Sequence, residues 1–280
     1  MKVLPFKIPK PEQDSLVFQE DLDLVFYDKL HQHEEIQLSV IVSGEGSLIV
    51  GDTVTLYKSG DILVIGSNLP HVFKSDAISE TPSHMLTLFF TKTSFGSHFF
   101  ELEELSELND FFNRAAHGFK VTSNNETIYK SFLKLNSATK LERFISLLDI
   151  LKIISQSSYT SLSSFIYEKK YTDNEGKRMR DVFEYTMTHF EQDITLETIS
   201  EVSAMTKNAF CKYFKKRTNK TYFQFLNELR IEHACKLIKK ENDLSISDIA
   251  YASGFKNISN FNRQFKTVKG LSPSMFKKSS

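Results

Sequence analysis

The chain of 280 residues contains no Trp, two Cys, six Pro and ten Gly. Cys211 and Cys235 cannot build a disulfide framework, so a reducing compartment is expected. So few prolines and glycines exclude a collagenous or low-complexity chain. No apolar run approaches the roughly 18 residues of a membrane helix. Near the start, Lys2, Lys7 and Lys10 alternate with Pro5, Pro9 and Pro11 without the apolar stretch of a secretory leader. Net charge is also lacking, because 35 Lys/Arg balance 35 Asp/Glu. These absences leave a soluble cytoplasmic protein as the expectation. Its length predicts about two domains, and its 25 Phe can build a sizeable core.

The zero charge is not evenly spread. Residues 180–280 hold 17 Lys/Arg against 11 Asp/Glu, a net of +6, and residues 1–179 carry the complementary −6. Two stretches are basic throughout their charged positions. One runs from Lys207 to Lys220 and the other from Lys256 to Lys278. Such asymmetry between halves points to nucleic acid or an anionic surface as partner of the basic half.

Hydrophobic periodicity separates the same two halves. β-branched and aromatic runs at 38–42, 47–50, 54–57, 62–65 and 85–90 alternate with Gly-, Asp- and Ser-containing turns, the pattern of a β-sandwich or barrel. Apolar residues then recur at i, i+3 and i+4 over 99–112, 126–135 and 140–155, which predicts helices. Ser-rich and polar residues place a linker across 156–178. From residue 179 onward the pattern is helical.

The helical half contains an approximate duplication. Leu196, Ile199 and Val202 form one apolar face, Ala204-Met205 a turn, Thr206 a helix cap, and Phe210 with Phe214 a packing pair four residues apart. About fifty residues later, Ile246, Ile249 and Ala250, the turn Gly254-Phe255, the cap Asn257 and the pair Phe261 and Phe265 repeat this layout. A long helix over 222–239 joins the two units, with Leu226, Leu229, Ala234 and Leu237 on its buried side. In a helix-turn-helix the second helix enters the major groove, so its outward residues must be polar and long enough to reach base edges.

The segment IAYASGFKNISNFNRQFK at 249–266, followed by Gly270-Leu271-Ser272-Pro273-Ser274, closely resembles the signature of AraC/XylS-type transcription regulators. Residues 199–214 and 222–238 are similar to the first helix-turn-helix and the connecting helix of that family. The resemblance covers about the last hundred residues and implies some seven helices with two recognition helices in adjacent major grooves. It implies base contacts from Asn208, Cys211 and Lys212 in the first unit, and from Ile258, Ser259, Asn262 and Arg263 in the second. Lys207, Lys215, Lys216, Asn257 and Lys266 are placed to meet phosphates, which set affinity rather than specificity. Two positions depart from the family. Ala204 stands where a turn glycine is usual, at a cost of about 1 kcal/mol if it is left-handed. Lys277 replaces a terminal Arg and should keep a phosphate-range charge. Cys211 is read as a small contact residue rather than a redox sensor.

The N-terminal half carries a second resemblance. His31-Gln-His33-Glu-Glu35, then Gly60-Asp61, and Asn68-Leu-Pro70-His71 look like the two motifs of a cupin, a small β-barrel. In cupin enzymes two His, a Glu and a third His converge on a metal. The matching positions here are His31, His33, Gln37 and His71. Gln37 removes the charged ligand and should weaken a divalent site, so no metal or other cofactor is expected. The four residues are read instead as lining an effector pocket at the barrel mouth, with a carbohydrate as the suggested ligand. The apolar residues Phe144, Ile145, Leu147, Leu148, Ile150 and Leu151 cover more than one helix face, so this helix is expected either to be fully buried or to form half of a dimer interface.

The fold class expected is therefore multi-domain. A cupin-like β-barrel with helical extension occupies 1–155, a linker 156–178, and an all-α domain with two helix-turn-helix units 179–280. The function expected is a non-enzymatic, effector-controlled, sequence-specific regulator of transcription. Its partners would be double-stranded DNA, a small-molecule effector and a second copy of the chain, plus RNA polymerase if it activates. Two alternatives stay open: a cupin metalloenzyme with an appended basic domain, and a constitutive DNA-binding regulator with a structural barrel.

Overall fold

The computed structural model describes residues 14–76, 82–164, 173–240 and 243–279. The chain divides into two compact units, Met1–Asp173 and Asn174–Ser280.

In the first unit, β1 (Val17–Asp23), β2 (Ile36–Ser43), β5 (Ile62–Ile65), β7 (Ser83–Phe90), β8 (Phe119–Val121) and β9 (Tyr159–Ser161) form one sheet in the order β1-β7-β2-β5-β8-β9. A second sheet has β3 (Gly46–Val50) between β4 (Thr53–Tyr57) and β6 (His71–Ser75). All pairings are antiparallel. The expected strands are present within a residue or two, and β1, β6, β8 and β9 are additional.

Period-two alternation sets the two faces of the large sheet. Leu38 and Val40 of β2, with Val64, Leu88 and Phe90, pack under the helices in one core. Ile41, Leu63 and Ile65 point the other way and meet Leu48, Val50 and Phe73 of the second sheet in another core. Gln37 and Ser39 share the parity of Ile41, so both polar side chains face the barrel interior. They are buried, and the Ser39 Oγ lies 2.9 Å from Thr87 Oγ1 on the neighbouring strand.

The helices α1 (Asn109–Ala115), α2 (Asn125–Lys134) and α3 (Lys140–Ser155) cover the outer face of the large sheet. The reading of 140–155 as one helix is matched in full. Thr139 explains why, because it accepts the Glu142 amide while the Glu142 carboxylate accepts the Thr139 N–H. The expected helix over 99–112 is instead two 3-10 turns, Phe99–Glu101 and Glu103–Leu108, leading into α1. Leu102 is extended between them (φ −60°, ψ 140°) and breaks the run. An i, i+3 apolar spacing fits a 3-10 helix as well as an α-helix.

The linker expected at 156–178 is also corrected. β9 pairs with β8, and the Ser163 hydroxyl and the Ser164 amide both donate to the Asp52 carboxylate at 2.9 Å. Residues 159–164 therefore belong to the first unit. The helix α4 (Asp173–His189) begins inside the range read as linker, and residues 165–172 lie outside the described residues.

Among the described residues, the second unit has seven helices: α4, α5 (Leu196–Val202), α6 (Lys207–Thr218), α7 (Tyr222–Lys240), α8 (Ile246–Ala252), α9 (Ile258–Lys269) and α10 (Pro273–Ser279). Phe210, Phe214, Phe261 and Phe265 are fully buried, as the packing-pair reading requires. The long helix α7 serves both helix pairs. Tyr222 at its start packs against Phe210 and Phe214 with ring centroids 5.5 and 5.4 Å away. Ile231, Ala234, Cys235 and Ile238 further along share a core with Phe261 and Phe265.

Candidate nucleic-acid interface and sensor cavity

The two turns of the C-terminal unit are built alike, atom for atom. After α5, the Met205 N–H donates to the Ser200 carbonyl (2.9 Å) and the Ala204 N–H to the Glu201 carbonyl (2.8 Å). After α8, Phe255 donates to Ala250 (3.0 Å) and Gly254 to Tyr251 (2.9 Å). Both pairs are Schellman closures, which place their pivot residue in the left-handed region. The pivots are Ala204 (φ 53°) and Gly254 (φ 83°). Glycine is required only at the second. A Cβ on Gly254 would lie 2.7 Å from the Phe190 carbonyl and 2.9 Å from Arg230 Nε. That contact belongs to a fastening in which Arg230 of α7 donates to the Phe190 and Gln192 carbonyls at 2.7 and 2.8 Å.

Each recognition helix then starts on a capping side chain. Thr206 accepts the Ala209 amide at 3.3 Å and Asn257 accepts the Asn260 amide at 2.8 Å. Asn208, Cys211 and Lys212 of α6 are exposed, as are Ser259, Asn262 and Arg263 of α9. Lys215, Lys216 and Lys266 are exposed on the same helices. Three of the expected DNA contacts need refinement. Ile258 is half-buried against the core around Phe261, so only part of it is available outward. Lys207 is ion-paired with Glu197. The Asn257 side-chain oxygen is used as the cap, which leaves its amide nitrogen for a phosphate. Lys277 also makes a contact within the unit. Its ammonium donates to the Leu244 carbonyl at 2.8 Å and ties α10 to the loop before α8.

In the barrel, the isolated bridge between His31 and His71 (N···O 3.1 and 2.9 Å) brings the first motif onto β6. One ring nitrogen from each of His31, His33 and His71 lies within 4.8 Å of the others. The opposite nitrogen of each ring, Nδ1, sits on a backbone carbonyl: Lys29 for His31 (2.8 Å), Glu35 for His33 (2.9 Å) and Leu69 for His71 (2.8 Å). A neutral imidazole donates from Nδ1 to such a carbonyl and keeps its lone pair on Nε2. Burial pushes the His33 pKa below the ordinary histidine value of 6.5. Burial, reinforced by His31 and His33, pushes that of His71 well below it. Both rings are thus neutral near pH 7.

The Gln37 side-chain amide meets these lone pairs, 3.3 Å from His33 Nε2 and 3.1 Å from His71 Nε2. Its other terminal atom is 3.0 Å from the Ser39 hydroxyl. Two acceptor nitrogens call for the NH2 group there, with the amide oxygen taking the Ser39 proton. Amide orientation follows from such networks. Three imidazoles, each with Nδ1 on a backbone carbonyl, form a donor set that fits a first-row divalent ion despite the missing carboxylate once the Gln37 amide swings away from His33 and His71 Nε2.

A cavity of about 490 Å³ opens above this cluster. His31 and Gln37 reach it, whereas His33 and His71 do not line it. Relative exposures of 5% and 0% leave these two sealed behind the cavity wall. The expected four-residue pocket lining is corrected accordingly. Sequence reasoning missed the opposite wall, where Gln19, Asp21 and Asp23 of β1 stand in register with Thr87, Met85 and Ser83 of β7. Their i, i+2, i+4 spacing was the available signal.

Comparison with known proteins agrees with both halves. Residues 199–279 match the model of a helix-turn-helix domain and residues 27–89 that of a cupin domain. The uncharacterized HTH-type transcriptional regulator YdeC of Bacillus subtilis is 23% identical over 261 residues, covering 90% of this chain and 87% of that protein. The uncharacterized HTH-type transcriptional regulator SACOL0084 of Staphylococcus aureus is 32% identical over 100 residues. That match covers 36% of this chain and 13% of the relative's length. Among solved structures, ToxT from Vibrio cholerae is 14% identical, with 95% of this chain and 98% of that one covered and a TM-score of 0.36. The C-terminal domain of AraT from Geobacillus stearothermophilus is 27% identical over 37% of this chain and 85% of its own, with a TM-score of 0.35. A cupin domain followed by paired helix-turn-helix units defines a DNA-binding transcription regulator. The helix-turn-helix domain is of the AraC type, and the motif at 249–274 within it resembles the AraC/XylS signature.

Proposed function

We propose that the chain reads double-stranded DNA in a sequence-specific manner as a cytoplasmic homodimer, and that a small molecule in the barrel cavity controls it. Activation, through contact with RNA polymerase, is the output assigned. The observation that carries this reading is the duplication itself. Two helices, α6 and α9, share one turn geometry, one capping mode and one buried Phe pair, and both present polar side chains outward. The connector α7, 19 residues long and so about 28 Å, supports both. That length is of the order of one turn of DNA, about 34 Å. Asn208, Cys211, Lys212, Ser259, Asn262 and Arg263 then face base edges, and Lys215, Lys216 and Lys266 face phosphates.

Control requires a ligand with different affinities for two arrangements of the protein, since equal affinity shifts nothing. Binding assays on an operator selected from random DNA test the DNA role. Arg263→Ala should weaken specific binding by about 1–3 kcal/mol while sparing non-specific binding. Equal affinity of the variant and the parent for the selected site would remove Arg263 from the interface.

The histidine triad supports a second reading, in which His31, His33 and His71 hold a transition ion at the cavity floor. Such an ion would supply Lewis acidity. Elemental analysis of the purified protein should then give about one ion per chain, lost in His71→Ala; a metal-free protein that binds its operator would discard this reading.

A further inference from the structure

We infer that the barrel cavity recognises an organic cation, an amine carried on a small apolar body, rather than a carbohydrate or an anion. The inference rests on the proposed effector role of the cavity and names the ligand class for it. Four observations lead there. First, no Lys or Arg lines the cavity among the described residues, whereas Asp21, Asp23 and Asp28 do. Asp28 is paired with Lys74 at 3.3 Å. Among the described residues, the Asp21 side chain receives only the neutral Gln19 amide, at 2.7 Å. An anionic ligand would meet uncompensated like charge.

Second, the Gln19 amide is fixed by that hydrogen bond, because its NH2 group must face the Asp21 carboxylate. Its oxygen is then buried without any partner. A buried orphan acceptor is costly and rare, and this one belongs to a cavity-lining side chain, so it calls for a donor from a ligand. Third, the wall is an acceptor ladder. Gln19, Asp21 and Asp23 alternate along β1 and share the interior parity of Thr87 and Met85. A ligand with several N–H donors satisfies such a row, and charge strengthens each bond. Burial, together with the charge on Asp23, raises the Asp21 pKa above the ordinary 3.8, and a bound cation would relieve that penalty. Fourth, the remaining surface includes the aromatic rings of Phe26, Tyr27, Phe73 and Phe89. Aromatic faces beside carboxylates are the recognition chemistry of ammonium groups. A hydroxyl-rich sugar would leave the charge of this wall unmatched. The volume of about 490 Å³ suits a compact ligand.

The test uses the full-length protein and three sets of probes in thermal-shift and calorimetric titrations: spermidine, choline and phenethylamine; glucose, ribose and sorbitol; benzoate and phenylacetate. At least one amine should bind and stabilise the protein, and the sugars and carboxylates should not. The double variant Asp21→Asn/Asp23→Asn should retain its fold and its DNA binding but lose about tenfold or more in amine affinity. Gln19→Leu, which removes the orphan acceptor, should lose amine affinity while gaining stability without ligand. Binding of a sugar or carboxylate in the cavity would overturn the cationic class and leave the effector role standing. Amine binding unchanged in the double variant would overturn the assignment of the β1 wall. Failure of all three sets, with a cavity-blocking Met85→Trp variant regulating normally in a reporter assay, would overturn the effector role itself.

Discussion

At the scale of single residues, two features carry measurable consequences. Ala204 holds the left-handed pivot that Gly254 holds in the second unit, with the same hydrogen bonds around it. An L-residue in this region is disfavoured by roughly 1 kcal/mol relative to glycine. Ala204→Gly should therefore stabilise the C-terminal unit by up to about 1 kcal/mol in denaturant unfolding. A destabilisation would show that the Ala204 methyl makes a contact worth more than the strain. The second feature is the pair of buried neutral imidazoles, His33 and His71. Their folded pKa values lie below 6.5, so the unfolded chain takes up protons more readily as pH falls. Their cost is absent well above pH 6.5 and grows as pH drops from there toward the folded values. The melting temperature of the N-terminal unit should hold between pH 7 and 8 and decline below about pH 6.5. A flat profile down to pH 5 would contradict the neutral assignment.

At the scale of elements, local chemistry decided what could be read in advance. Helix α3 was legible to its ends because the Thr139–Glu142 capping box marks its start. The recognition helices were legible because Thr206 and Asn257 sit one residue ahead of them. Strand β1 was not, since its Gln, Glu and Asp residues disfavour strand structure and its polar interior face serves the cavity rather than the core. The strand β9 was hidden by Tyr159-Thr160-Ser161, whose exposed side chains look like linker. Sequence placed His31, His33, Gln37 and His71 together, but not which of them reach the cavity, because that depends on side-chain burial across two sheets. Of the residues read as a dimer seam, Leu147, Ile150 and Leu151 are fully buried in the core of the first unit, and the face that helix α3 leaves exposed is a different one that includes Ile145. Leu141 and Ile145 are 67% and 51% exposed, and Leu133 on α2 is 48% exposed. Apolar groups of this kind are suited to a partner surface. If this face is the seam of the proposed homodimer, Leu141→Glu/Ile145→Glu should give a monomer in sedimentation without lowering its helix content. A dimer that persists in the double variant would place the interface elsewhere.

At the scale of the whole molecule, the absent net charge conceals a division of labour. Residues 1–179, with a net of −6, include the cavity and its acidic wall, and residues 180–280, with +6, include the two recognition helices. The partners implied are opposite in charge as well: an organic cation for the first and the DNA polyanion for the second. The central claim is that α6 and α9 read DNA as a linked pair. Selection of bound sequences from a random DNA pool, repeated with Lys212→Ala and with Arg263→Ala, tests it most directly. Reading by a linked pair of helices should enrich a site with two elements about 10 bp apart, centre to centre. Each variant should relax the preference at one element and leave the other intact. No enrichment over the starting pool, or a single element unaffected by either substitution, would contradict it.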